Sequence, residues 1–158
     1  HVAQVRLGCV TRIRAELGQH ALDWKFIESI LEYASEVVPK TFSHGDFSYS
    51  NIMSCDMLLG NPVFLIDPIN DPTLLSSWVI DVAKLFMSIL LDFGADDPRL
   101  KEIISFAETV KIPVDVLQAH TIGHLCRVFP YASENKKIRI LDLIRCEVAD
   151  FKNRNNVF

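Results

Sequence analysis

Two short stretches concentrate the side chains that can do chemistry. The first, Ser43-His44-Gly45-Asp46-Phe47-Ser48-Tyr49-Ser50-Asn51, is a polar loop; the second, Phe64-Leu65-Ile66-Asp67-Pro68, is a buried-looking strand that ends on a carboxylate. Gly60-Asn61-Pro62 lies between them and reads as a turn joining two strands, Asn51 to Leu58 and Val63 to Ile66. Antiparallel pairing across that turn brings the start of the first strand against the end of the second, so Asn51 lies opposite Asp67. Asp46, Asn51 and Asp67 then line one oxygen-rich pocket. A hard cation such as Mg²⁺ takes one or two protein oxygens, keeps several waters and draws its remaining ligands from substrate phosphates. Asn51 and Asp67 meet that requirement.

Asp46 precedes Asn51 by the separation found between the Asp and Asn of a kinase catalytic loop, His-x-Asp-x-x-x-x-Asn. His44-Gly45-Asp46 with Asn51, followed by Asp67 of Ile66-Asp67-Pro68, resembles the aminoglycoside phosphotransferase and choline kinase-like superfamily, the small-molecule branch of the protein kinase-like fold. Asp81-Val82-Ala83-Lys84-Leu85 is similar to the Asp-(Leu/Ile)-Ala segment that opens the next helix in that family. With each residue type at a few per cent, the four fixed loop positions arise by chance in roughly one chain of this size in a thousand. The motifs cover about Thr41 to Leu91, and the flanks agree by general pattern alone.

The resemblance implies a role for each matched residue. Asp46 orients the acceptor hydroxyl and takes its proton; Asn51 and Asp67 hold Mg²⁺ on the phosphates of ATP or GTP; His44 is structural; Asp81 braces the loop from behind. The implied reaction moves the γ-phosphate to a hydroxyl of a small acceptor such as an aminoglycoside, choline, an amino alcohol or a sugar. Such a transition state spreads its charge over phosphate oxygens, so positioning and metal electrostatics supply most of the catalysis. The family also has an amino-terminal lobe with a phosphate-covering loop and a Lys. Here the 45 residues before Asp46 read mostly as helix, and none of the six glycines forms G-x-G-x-x-G or a Walker-type loop. The chain is therefore expected to be the carboxy-terminal lobe of a longer kinase, with the nucleotide-covering lobe outside it, and on its own it can be inactive. Two rivals are a non-catalytic binding or regulatory module derived from this lobe, and a metal-dependent phosphohydrolase that uses Asp46 and Asp67 on water.

Other candidates have plain explanations. Asp46 alone could cap a turn, and Asp67-Pro68 could be a turn signal. Asn70 and Asp71 could touch substrate or a second ion, or simply be turn residues before Pro72; the two readings stand level. His120 and His124 are spaced i, i+4, but no Glu sits between them as a zinc protease helix requires. Lys136, Lys137, Arg139 and Arg145 alternate with Glu134, Asp142 and Glu147, the pattern of a solvated helix face.

The elements that must hold these residues are mostly helical. Val5, Cys9, Ile13 and Leu17 suggest a helix in the first twenty residues, and Ile27, Ile30, Leu31, Ala34 and Val37 place another across Ala21 to Val38, stopped by Pro39. After Pro72 helices are expected at Trp78 to Asp92, Arg99 to Val110, Val114 to Phe129 and Ser133 to Phe151. Pro98 and Pro113 suit two of these helix starts. The expectation is an α+β, mainly α-helical lobe of the kinase-like fold with one small β-hairpin. It forms a single domain over 1–158, with a catalytic loop at 43–51, a metal-binding segment at 64–68 and a helical subdomain at 74–158.

Composition narrows the classes. Hydrophobic residues make up 49% and charged residues 23%, enough for a core and no case for disorder. Sixteen basic against twenty acidic residues gives a net charge of −4, so no nucleic acid partner is expected. The greasy stretch Trp78 to Phe93 is broken by Asp81, Lys84 and Asp92, and no membrane is expected either. Cys9, Cys55, Cys126 and Cys146 form no C-x-x-C pair, and no secretory signal is visible, so the cytoplasm is the expected compartment.

Overall fold

The computed structural model describes residues 14–15, 22–54, 62–69 and 77–155. Helix α1 (Trp24–Val37) begins three residues after its expected start at Ala21 because Asp23 caps it: the carboxylate accepts the Phe26 N–H at 3.1 Å. Its apolar stripe buries Trp24, Ile27, Ile30, Leu31 and Ala34, while Val37, counted in that stripe from sequence, is 48% exposed. The chain then runs through an irregular segment into a single 3₁₀ turn (Tyr49–Asn51) and strand β1 (Ile52–Ser54). Strand β2 (Val63–Leu65) pairs with β1 antiparallel, in the register Ile52 to Leu65, Met53 to Phe64 and Ser54 to Val63.

Four helices follow among the described residues: α2 (Trp78–Phe93), α3 (Pro98–Thr109), α4 (Val114–Val128) and α5 (Glu134–Arg154). Pro98 opens α3, where a missing N–H costs nothing, and Asp97 caps the Arg99 N–H. Pro113 sits one position earlier in α4, as its N-cap. The protein is thus mainly helical with a small two-stranded antiparallel sheet.

Helix α4 is the axis of the packing, touching α1, α2, α3 and α5. Its buried residues occur all round it, from Val116 to Cys126. A Cβ on Gly123 would lie 2.9 Å from Leu31 Cδ2, so glycine lets α1 close on α4. One core joins α1, α4 and α5 through Ile27, Ala34, Ile122, Leu125, Ile140 and Ile144, all fully buried. A second joins α2 to the start of α4 through Val79, Ala83, Val116 and Leu117. Cys126 is buried in the first core, whereas Cys146 is exposed on α5.

The hairpin departs from expectation in two respects. The first strand starts at Ile52 rather than Asn51, which belongs to the 3₁₀ turn, and the second ends at Leu65 rather than Ile66; the expected stretch of the first strand from Cys55 to Leu58 lies outside the described residues. The second strand is also not buried. Val63, Phe64 and Leu65 are 62%, 52% and 50% exposed, because adjacent residues point to opposite faces and, among the described residues, no helix covers either face. The Gly60-Asn61 turn, Cys9, Cys55, Asn70 and Asp71, and nearly all of the expected first helix lie outside the described residues.

Candidate functional site

Helix α2 holds the polar loop along one face. Thr41 Oγ1 accepts the Trp78 N–H at 3.0 Å, taking the capping role that the Ser77 side chain does not fill. The Asp81 carboxylate accepts two backbone N–H groups, from His44 at 2.6 Å and Gly45 at 2.9 Å. Lys84 Nζ forms an ion pair with Asp46 Oδ1. Ser88 Oγ accepts the Tyr49 N–H at 2.9 Å and donates its own proton to the Leu85 carbonyl at 2.8 Å. Positions 78, 81, 84 and 88 recur at helical spacing, so all four fall on one face. They span about 15 Å of helix, well short of the roughly 27 Å that the eight-residue step from Thr41 to Tyr49 could reach if extended. The loop is therefore folded against the helix.

Two backbone features set that folding. Gly45 has φ of +78°, the left-handed region, and a Cβ there would meet the Ile69 carbonyl oxygen at 2.9 Å. Ile69 in turn donates its N–H to the His44 carbonyl at 2.8 Å, tying the segment after Asp67 to the loop. Asp67 has φ of 55°, a conformation that Asp tolerates better than most residues.

Asp46 and Asn51 are brought into direct contact. The Asn51 side-chain nitrogen donates to the Asp46 carbonyl at 2.9 Å and to its carboxylate Oδ2 at 3.2 Å. The Asp46 carboxylate is thereby held at both oxygens, by Asn51 and by Lys84, while its side chain stays 31% exposed. The amide nitrogen of Asn51 is thus committed to Asp46. The backbone of Asn51 accepts the Ile66 N–H at 3.0 Å, so Asp67 is one residue beyond the position facing Asn51. Asp67 is exposed. Among the described residues no three His, Cys, Asp or Glu side chains cluster to hold a metal. A cation that takes most of its ligands from water and phosphate needs only one or two protein oxygens.

His44 is buried, and neither ring nitrogen bonds to a described group; the ring packs at 5.9 Å from Phe47. Burial raises the Asp81 carboxyl above its ordinary range, against the pull of the two N–H groups it accepts. Burial lowers the Lys84 ammonium to about 8, with Arg127 adding like-charge repulsion. The Asp46 carboxylate in contact with it favours the charged ammonium and so works in the opposite direction.

His120 and His124 do not converge on a common point. Their Nε2 atoms meet different backbone carbonyls, Ala34 at 3.2 Å and Ile80 at 3.0 Å, which is the work of buried structural histidines. Of the basic stripe on α5, Lys137 and Arg145 pair with Glu134 and Asp142 on the same helix, and Lys136 pairs with Asp92.

Sequence reasoning gave no role to Lys84, Ser88 or Arg99. For the first two a signal existed: Asp81, Lys84 and Ser88 form a polar column on an otherwise apolar helix. Arg99 left no such trace. Held by two 2.7 Å bonds to Asp97, its guanidinium stacks 4.4 Å from the Tyr49 ring and 4.1 Å from Phe93, pinning the 3₁₀ turn to the end of α2. No family model, curated protein or solved structure matches the chain.

Proposed function

We propose that the protein is a magnesium-dependent small-molecule kinase of the aminoglycoside phosphotransferase and choline kinase-like type, with this chain as its catalytic carboxy-terminal lobe. It transfers the γ-phosphate of ATP or GTP to a hydroxyl of a small acceptor. The single observation that carries the reading is the contact of Asn51 with the Asp46 carboxylate, with Asp67 next to the residue paired with Asn51. A loop that served only as a connection has no need to clamp a part-exposed carboxylate from two sides.

In this reading Asp46 lies against the acceptor hydroxyl and takes its proton as the oxygen attacks phosphorus. The bond from phosphorus to the β,γ-bridging oxygen breaks, and the nucleoside diphosphate leaves with that electron pair. Asn51 Oδ1 and the Asp67 carboxylate are the residues that would hold Mg²⁺. When bound, the ion neutralises charge on the phosphate oxygens. Asp81 acts at one remove, by fixing the backbone on which Asp46 stands. Among the described residues no helix is long and apolar enough to cross a membrane, and an enzyme that consumes ATP fits the cytoplasm.

The test is thermal denaturation of this chain and of Asp67→Asn with and without Mg²⁺ and ATP. A metal-dependent rise in Tm in the parent alone supports the reading. The absence of a rise in either contradicts it and favours a binding module that has lost the nucleotide.

A further inference from the structure

Lys84 is the cation that the surrounding apolar helix has least reason to contain. It follows Ala83, which is fully buried, and is itself 6% exposed. A buried ammonium persists where a partner compensates its lost hydration. Burial foremost, and then repulsion by Arg127, lowers this one to about 8. Its partner is the Asp46 carboxylate, at Oδ1. The other carboxylate oxygen, Oδ2, meets the side-chain nitrogen of Asn51 at 3.2 Å.

Two donors on two different elements fix the carboxylate plane: Asn51 from the loop itself and Lys84 from helix α2. With Asn51 alone, the group could turn about its last side-chain bond. With Lys84 as well it has one orientation, set by a rigid helix whose next turns hold the same loop at Asp81 and Ser88.

Resting on the kinase reading above, we propose that Lys84 is a positioning residue for phosphoryl transfer, which aims the Asp46 carboxylate at the acceptor hydroxyl from the buried side of the loop. The acceptor approaches from the exposed side of Asp46, so Lys84 need not touch substrate. It acts on the rate of the chemical step and not on nucleotide binding.

Two measurements test this on the polypeptide at its native length. The first is NMR of the Lys84 ammonium in the parent and in Asp46→Asn. A slowly exchanging ammonium signal in the parent that is lost or moved in Asp46→Asn is expected; an identical signal in both overturns the proposal. This arm does not depend on Lys84 variants folding. The second is ADP formation from Mg·ATP with water as acceptor, in the parent and in Lys84→Met. A kcat lower by roughly 10²-fold, with KM for Mg·ATP within about two-fold, is expected for a displaced base. An unchanged kcat, or a loss expressed through KM alone, overturns the proposal. If the parent itself forms no ADP and binds no Mg·ATP, the kinase reading has failed, and the proposal falls with it whatever the NMR arm shows of the ion pair.

Discussion

Removing the Asp81 carboxylate should loosen the polar loop from His44 to Asn51 more than any other single change on α2. The carboxylate accepts the N–H groups of His44 and Gly45 at 2.6 and 2.9 Å, and one of these donors is buried. In Asp81→Asn one oxygen becomes an NH₂ group, which cannot accept, so one N–H is left unpaired and the other keeps a neutral partner. A hydrogen bond to a charged group contributes about 1.5–3 kcal/mol, and an orphaned buried donor costs about 1–3 kcal/mol. Burial of the carboxylate, which raises its pKa, offsets part of this. The net cost is set at about 2–3 kcal/mol, within the usual span for a broken buried contact. For a chain of this size about 1 kcal/mol moves Tm by about 2–4 °C, so Tm should fall by about 4–12 °C. Hydrogen exchange gives the local readout: the His44 and Gly45 amides should exchange about 30- to 150-fold faster, at tenfold per 1.4 kcal/mol. A Tm within about 1 °C of the parent and unchanged exchange at both amides would refute the clamp.

Gly45→Ala should cost at least about 1–2 kcal/mol from the left-handed backbone alone, and more because its Cβ would lie 2.9 Å from the Ile69 carbonyl oxygen and 3.0 Å from Ile69 Cβ; chemical denaturation reads it, and an unchanged midpoint counts against the strain. His124 is held neutral by burial foremost and then by the charge of Arg127, its pKa well below 6.5, with its Nε2–H donating to the Ile80 carbonyl. The unfolded chain therefore binds a proton that the fold does not as pH drops below 6.5, and stability must fall. Between pH 6.5 and 5.5 this one group should remove about 1 kcal/mol. His124→Gln keeps a donor for Ile80 without titrating, so its stability should depend less on pH by that amount; equal slopes in parent and variant would contradict the assignment.

How far the sequence was legible depended on whether a residue's neighbours were local. Helix α1 could be read because Ile27, Ile30, Leu31 and Ala34 repeat at the helical period and Pro39 follows, and Asp23 then corrected its start through a cap three residues long in reach. The His44 to Asn51 spacing was legible for the same reason, since the Asn51 to Asp46 contact closes within one short loop. The hairpin read less well. Phe64 and Leu65 look like core by composition, but what covers a strand is decided by elements far away in the chain, and here no described helix does so. Lys84 was harder still: its identity announces a charge, while its partner lies thirty-eight positions earlier, on a loop whose path is known only once it has folded onto α2. Arg99 sits between Tyr49 and Phe93 for reasons that no periodicity encodes.

The proposed phosphoryl transfer to a small hydroxylated molecule is followed most directly by ³¹P NMR of the native-length protein with Mg²⁺ and ATP. The acceptors to supply are an aminoglycoside, choline, an amino alcohol and a sugar. Loss of the γ-phosphate resonance and growth of a phosphomonoester signal are expected with one of them, dependent on Mg²⁺ and abolished in Asp46→Ala. ATP that stays intact with every acceptor, or phosphate released from simple esters without a nucleotide, would contradict it.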